Sequence, residues 1–396
     1  MMYNFDEIVD RNNTNSIKYD FAVERGKPEG ILPLWVADMD FQTPTEVQNA
    51  LQEAVSHGIF GYSDVKADYF SVIHDWFYKH FNWDTQAEWL VKTPGVVYAI
   101  AQAVRAFTNE GDGVLIQQPV YYPFRGSVLS NDRKLVVSSL VYQDGKYSID
   151  YEDFENQIVI HKVKLFILCN PHNPVGRVWT VEELTKIGEI CLKHKVLIIS
   201  DEIHCDFIYP GSRHIVFANI NDAFADNTIT CTAPSKTFNL AGLQVSNIFI
   251  KNEVLREKFT KEIERSGYSQ LNALGLIACK AAYQYGEPWL TELRAYLVEN
   301  LNFVREFLRE RLPQIKLVEP QGTYLIWLDF SELNLTPSEM KELIVHKANL
   351  WLDAGHIFGK EGNGFERINI ACPREILIKA FEQLEGAINA LLTTSK

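Results

Sequence analysis

The chain lacks the features that would tie it to a membrane, a nucleic acid or an oxidising compartment. No apolar run approaches the roughly 18 residues that a membrane span needs. Positive charge is in deficit: 38 Lys and Arg stand against 51 Asp and Glu, a formal net charge of −13. Neither a polyanionic nucleic acid nor an anionic lipid surface attracts such a chain in general, although a local basic pocket is still allowed. Cysteine is sparse and scattered, six residues with no C-x-x-C pair, which argues against a disulfide framework and for reduced, packed thiols. Residues 1–14 are polar and acidic, with no charged-then-apolar leader, so the cytoplasm is the expected compartment. Repeats and low-complexity segments are absent too. What is present is ordinary globular composition, 46% hydrophobic and 12% aromatic over 396 residues. That length predicts two or three domains, or one large domain with a smaller companion.

Periodicity and punctuation then divide the chain. Proline and glycine frame a helix over residues 44–57, and an aromatic-rich helix over 68–81 turns Trp76, Phe77 and Phe81 to the core. A helix over 95–107 opens on Gly95 and leads through Gly111-Asp112-Gly113 to a strand at 114–117. Strands at 164–169, 196–200, 227–231 and 246–250, with a helix at 180–194, predict an α/β fold. Its mostly parallel sheet would carry helices on both faces. From residue 289 the pattern becomes a long helix to 312, a strand at 324–330, a helix at 337–347, a strand at 365–370 and a closing helix at 373–392. A smaller α+β domain is expected there. Residues 45–288 then form the large domain, and residues 1–44 with 289–396 a discontinuous small one.

Three polar segments follow three of the apolar strands: Asn170-Pro171-His172-Asn173-Pro174-Val175-Gly176-Arg177, Ser200-Asp201-Glu202-Ile203-His204 and Ser235-Lys236-Thr237. In an open α/β sheet, loops at the carboxyl ends of strands meet at a ligand crevice. They bring an amide, a carboxylate and an amine. An amine condenses with an aldehyde, a carboxylate keeps a pyridine nitrogen protonated, and a donor steadies a ring oxygen, which is what a pyridoxal 5'-phosphate (PLP) site requires. Each residue has a plainer reading. Lys236 alone could be a surface lysine, Asp201 a helix cap or core ion pair, Asn173 part of a turn, and His204 a packed histidine. The run from Asp201 to Asp206 also resembles a set of metal ligands, but no second histidine sits at a helical spacing from His204. Pro94-Gly95-Val96-Val97 opens a helix whose free N–H groups suit a phosphate, with hydroxyls from Ser235 and Thr232 as further donors. Arg367 alternates along the strand at 365–370 and offers a fork for a substrate carboxylate; Arg374 is its rival.

The order and spacing resemble the fold-type I, aspartate-aminotransferase-like PLP enzymes. Longer blocks narrow this further: Leu34-Trp35-Val36-Ala37-Asp38-Met39-Asp40-Phe41, Phe60-Gly61-Tyr62-Ser63, Thr93-Pro94-Gly95-Val96-Val97, and Ser235 through Leu243. They look like the MalY/PatB-type carbon–sulfur β-lyases, which include cystathionine β-lyases and cysteine desulfhydrases. The resemblance implies that Lys236 carries PLP and acts as base, Asp201 holds the ring nitrogen and Asn173 serves the ring oxygen. It implies that Tyr121 stacks on the ring, with Tyr122 beside the substrate. It further implies a homodimer in which Tyr62 reaches the neighbour's phosphate. Two positions depart from the wider pattern: His204 stands where many members have tyrosine, and Gln244 where many have a phosphate-binding arginine. The activity implied is α,β-elimination of L-cystathionine, L-cysteine or a related S-substituted cysteine. An aminotransferase using the same residues, and a regulatory partner-binding protein on the same fold, are the alternatives.

Overall fold

A computed structural model describes residues 3–394. Its centre is a seven-stranded sheet in the order Leu90–Thr93, Ser246–Phe249, Thr228–Thr232, Leu197–Asp201, Leu165–Cys169, Gly113–Gln118 and Lys134–Ser139. Neighbours pair in parallel except around Ser246–Phe249, which runs antiparallel to both strands beside it. Helices cover both faces. Phe166, Leu168 and Ile198 pack toward the helices Tyr151–His161 and Val181–Lys193. Leu165, Ile167, Leu197 and Ile199 pack toward Val96–Phe107 and Glu253–Arg265. Burial on alternate faces is why these strands read as unbroken apolar runs rather than as alternation.

The expected helices form with shifts of a residue or two at their ends. Val181–Lys193 begins after Thr180, whose hydroxyl accepts from the Glu183 N–H while the Glu183 carboxylate accepts from the Thr180 N–H. In Ala67–Phe81, Trp76 and Phe77 are buried as expected, whereas Phe81 is only partly covered. The helix expected over 337–347 is α-helical for Pro337–Lys341 and then widens to π-type turns over Glu342–Lys347. The stretch between residues 118 and 163 holds two helices, Pro123–Leu129 and Tyr151–His161, an edge strand and a short hairpin that periodicity did not mark.

A second, four-stranded antiparallel sheet runs in the order Lys316–Val318, Leu325–Asp329, Phe365–Asn369, Asp353–Ala354. Leu32–Pro33 pairs in parallel with Leu350–Trp351, which fastens the N-terminal segment beside it. The next residues, 34–41, form a strap clasped from several elements. Asn369 donates to the carbonyls of Val36 and Asp38, and Asn239 to those of Met39 and Phe41. Asp40 accepts from Lys18 at 2.8 Å and Arg11 at 2.7 Å. Lys18 is almost wholly buried, so removing Asp40 would strand a charge at a cost of about 3–5 kcal/mol.

All six cysteines are buried and unpaired. Among the described residues no helix is long and apolar enough to cross a membrane, and no cluster of three or more His, Cys, Asp or Glu could hold a metal ion.

Candidate functional site

Strand register builds the site. Cys169 lies opposite Asp201, and Asp201 opposite Cys231, so three carboxyl ends stand in a row. Beyond them the chain releases the Asn173 turn, the His204 segment and a single helical turn, Pro234–Thr237, that carries Lys236. They meet in a cavity of about 150 Å³. Asp201, Asn173, Lys236 and Ser235 line it, with Tyr121 and His204 on its walls and Gly95 and Val96 at one end. Eight of the twelve expected site residues are thereby brought together.

Lys236 is part-buried, and its Nζ donates to the Ala37 carbonyl at 3.3 Å. Burial lowers its ammonium to about 8; Arg367 adds to the effect, while Asp38 and Asp201 oppose it. A useful fraction of neutral amine therefore exists near neutral pH. Asp201 shows the opposite shift. Burial raises its carboxyl to about 7, helped by Glu202 and opposed by the Ile203 N–H, which donates to it at 3.2 Å, and by Lys236. A buried carboxylate with one N–H and a lysine for company lacks a full complement of partners. Next to it, burial holds the His204 imidazole well below its usual proton affinity, so the ring is neutral; its Nδ1 has no hydrogen-bond partner.

At the other end, Val96–Phe107 starts on Gly95 with no side chain capping its first N–H groups. A Cβ built on Gly95 would meet nothing within 4 Å, so a side chain there would project into space an anion could use. These residues fit PLP. The starved carboxylate suits a pyridinium N–H, the orphaned imidazole nitrogen a ring substituent, the uncapped helix start a phosphate, and Lys236 an aldehyde.

Arg367 does not line the cavity but stands directly behind Asn173. It is only 2% exposed. Its guanidinium donates to Asn173 Oδ1 at 3.0 Å and to the Trp35 carbonyl at 2.9 Å, and forms a short ion pair with Asp353. With Oδ1 committed to Arg367, the Asn173 amide N–H₂ is the end left to donate. Arg374, the rival, points elsewhere: it donates to Asn300 and lies over the Phe303 ring.

Three other expectations land outside. Thr232 does not reach the cavity; its hydroxyl proton is committed to the Asn247 carbonyl at 2.7 Å, which removes it as a phosphate donor. Tyr122 begins the next helix, partly exposed, with its ring 5.6 Å from that of Tyr121. Tyr62 lies at 97% exposure in the connection between the helices Thr45–His57 and Ala67–Phe81, and it does not line the cavity of its own chain. Gln244 is exposed and does not line the cavity either.

Sequence reasoning passed over Ala37, whose carbonyl accepts from both Lys236 and Tyr324. It lies in the block 34–41 that carried the resemblance, so a signal was present. Asp353, the partner of Arg367, was passed over as well, although it closes the apolar run Leu350-Trp351-Leu352 and so carried a signal of burial.

The aminotransferase class I and II family matches residues 29–384. Cystathionine beta-lyase PatB of Bacillus subtilis (strain 168) is 42% identical over 386 residues, covering 98% of this chain and all of that protein. Among solved structures, PLP-containing cystalysin from Treponema denticola superposes with a TM-score of 0.95 at 40% identity, covering 99% of this chain and 100% of that one. A PLP-bound C–S lyase from Staphylococcus hominis reaches 0.91 at 36% identity, with 97% and 98% covered. With a family match over most of its length and a full-length relative at this identity, the chain belongs to the aminotransferase class I and II family, in its MalY/PatB-type branch.

Proposed function

We propose that the chain is a PLP-dependent carbon–sulfur β-lyase. It takes L-cystathionine, L-cysteine or a related S-substituted L-cysteine to pyruvate, ammonia and a thiol or sulfide. The observation that carries this reading is the grouping, in one cavity, of a lysine amine lowered to about 8 with a partner-starved carboxylate, Asp201. The activities named for PatB and for the S. hominis enzyme support it.

PLP, when bound, supplies the electron sink for the charge left as the substrate's α-proton departs. The chain's own groups do the rest. Lys236 Nζ takes that proton, and its lowered proton affinity makes the free base available near neutral pH. Asp201 provides the negative charge for the ring nitrogen. Arg367 and Asn173 orient the substrate carboxylate, and the Asp353 ion pair keeps the guanidinium from swinging. Tyr121 shields one side of the site. In the same reading, residues 45–288 form the cofactor-binding part, and residues 1–44 with 289–396 the part that carries Arg367.

The working form is a homodimer. Tyr62 stands outward beside the exposed Ile59 and Phe60, an arrangement that suits a second copy whose phosphate end Tyr62 completes. An aminotransferase is the second reading, which the family's description keeps in view. One experiment separates the two. Incubation with L-cystathionine and no keto acid gives pyruvate and ammonia over many turnovers if the chain is a lyase. Stoichiometric conversion of the cofactor to pyridoxamine phosphate identifies an aminotransferase.

A further inference from the structure

A second cavity, about 480 Å³, opens on the other side of Arg367 and Asp353. It shares a wall with the first. Tyr121 lines one cavity and Tyr122 the other, Ala37 lines one and Trp35 the other, and Asp353 joins Arg367 to the second. The edge strand Asp353–Ala354 is only two residues long. The cavity therefore reaches around it to Glu366, which neighbours Arg367 along the strand but faces the opposite side of the sheet.

Glu366 is the unexplained group. It is 3% exposed and lines this cavity, yet its carboxyl has no hydrogen bond and no ion pair among the described residues. Buried carboxyls are rarely left so, because desolvation without a partner is costly. Burial raises it to about 8; Asp353 adds to this, and Lys27 opposes it without coming into contact. Around the mouth stand cations: Lys27 over the Trp351 ring at 5.7 Å, Arg25 over Trp35 at 5.4 Å, and Lys341. The two indoles stack at 4.5 Å and form an apolar floor between the charges.

An acidic pole facing a basic rim across an apolar floor is complementary to a zwitterion with a short aliphatic stem. We infer that this cavity is a subsite for an α-amino-acid head group, its ammonium toward Glu366 and its carboxylate toward Lys27 and Arg25. Two sources share that chemistry. One is the distal half of a thioether substrate such as L-cystathionine, which rests on the lyase reading above. The other is a free amino acid bound as an effector, which does not.

A substrate series on the PLP-loaded enzyme tests it: L-cystathionine, S-(3-carboxypropyl)-L-cysteine, which lacks only the distal ammonium, and S-ethyl-L-cysteine, which lacks the whole head group. If the distal half is held here, Glu366→Gln lowers kcat/KM for cystathionine about tenfold, mainly through KM, as expected for one charge-assisted contact. The other two substrates do not change. Lys27→Met lowers the first two and spares S-ethyl-L-cysteine. If the head group is a free effector, L-homoserine changes wild-type turnover of S-ethyl-L-cysteine non-competitively, and Glu366→Gln abolishes the change. Equal shifts for all three substrates, or no shift together with no homoserine effect, overturn the inference. Should wild type release pyruvate from none of them, the lyase reading fails. Homoserine titration followed by the fluorescence of Trp35 and Trp351 then judges the subsite alone, since Glu366→Gln must weaken binding if the inference stands.

Discussion

Asp201→Asn in the cofactor-free protein gives a prediction with a definite sign. The folded state raises this carboxyl from 3.8 to about 7, chiefly by burial. The unfolded chain gives up the proton near pH 4 and the folded chain near pH 7, so between those values only the folded state holds it. Stability contributed below pH 4 is therefore lost as pH rises through 7. At about 1.36 kcal/mol per pH unit, the loss attributable to Asp201 is about 4 kcal/mol, complete by pH 8. Asparagine keeps the shape and cannot ionise. Urea unfolding of both proteins at pH 4, 6 and 8 should show near-equal stability at pH 4 and a variant more stable by up to about 4 kcal/mol at pH 8. Titrating groups that do not interact with this carboxyl, Glu366 among them, are common to both chains and cancel. Saturating PLP should reverse the order, because only wild type offers the ring nitrogen an anionic partner and ligand binding stabilises in proportion to affinity. Parallel pH profiles for the two cofactor-free proteins, or a variant less stable at pH 8, would refute the argument that this carboxylate is held at a cost for its ligand.

Lys236→Ala should abolish the visible absorbance of lysine-linked cofactor with the fold intact; borohydride reduction followed by peptide mapping to any other lysine would overturn the assignment. Arg367→Ala should raise KM by roughly 10²-fold while PLP stays bound. It should also destabilise the fold by about 3–5 kcal/mol, because Asp353 is left buried without its cation. Adding Asp353→Asn should restore stability but not KM, and a normal KM in Arg367→Ala would refute its role. Mixing inactive Lys236→Ala chains with impaired Tyr62→Ala chains should regenerate activity, because each mixed dimer holds one site free of both lesions. Exchanged dimers that stay inactive would show that Tyr62 serves its own chain.

The sequence by itself determined the sheet, the strand-end loops and most of the cavity. A strand buried on both faces must be apolar throughout, so 164–169 and 196–200 announce themselves, and the polar residues that break them off are necessarily at their ends. Asp201, Asn173 and Lys236 were legible for that reason, and the block 34–41 marked a covering strap without revealing that the Ala37 carbonyl meets Lys236. Only the tertiary structure separated Arg367 from Arg374. They lie seven residues apart in one basic-and-apolar stretch, yet a strand turns the first onto Asn173 and the helix start turns the second onto Asn300. It also withdrew Thr232, since a hydroxyl has one proton and the neighbouring strand had taken it. It set Glu366 apart from the other buried acids among the described residues as well, because whether a buried carboxylate has a partner depends on what folds against it, and that information lies hundreds of residues away in the chain.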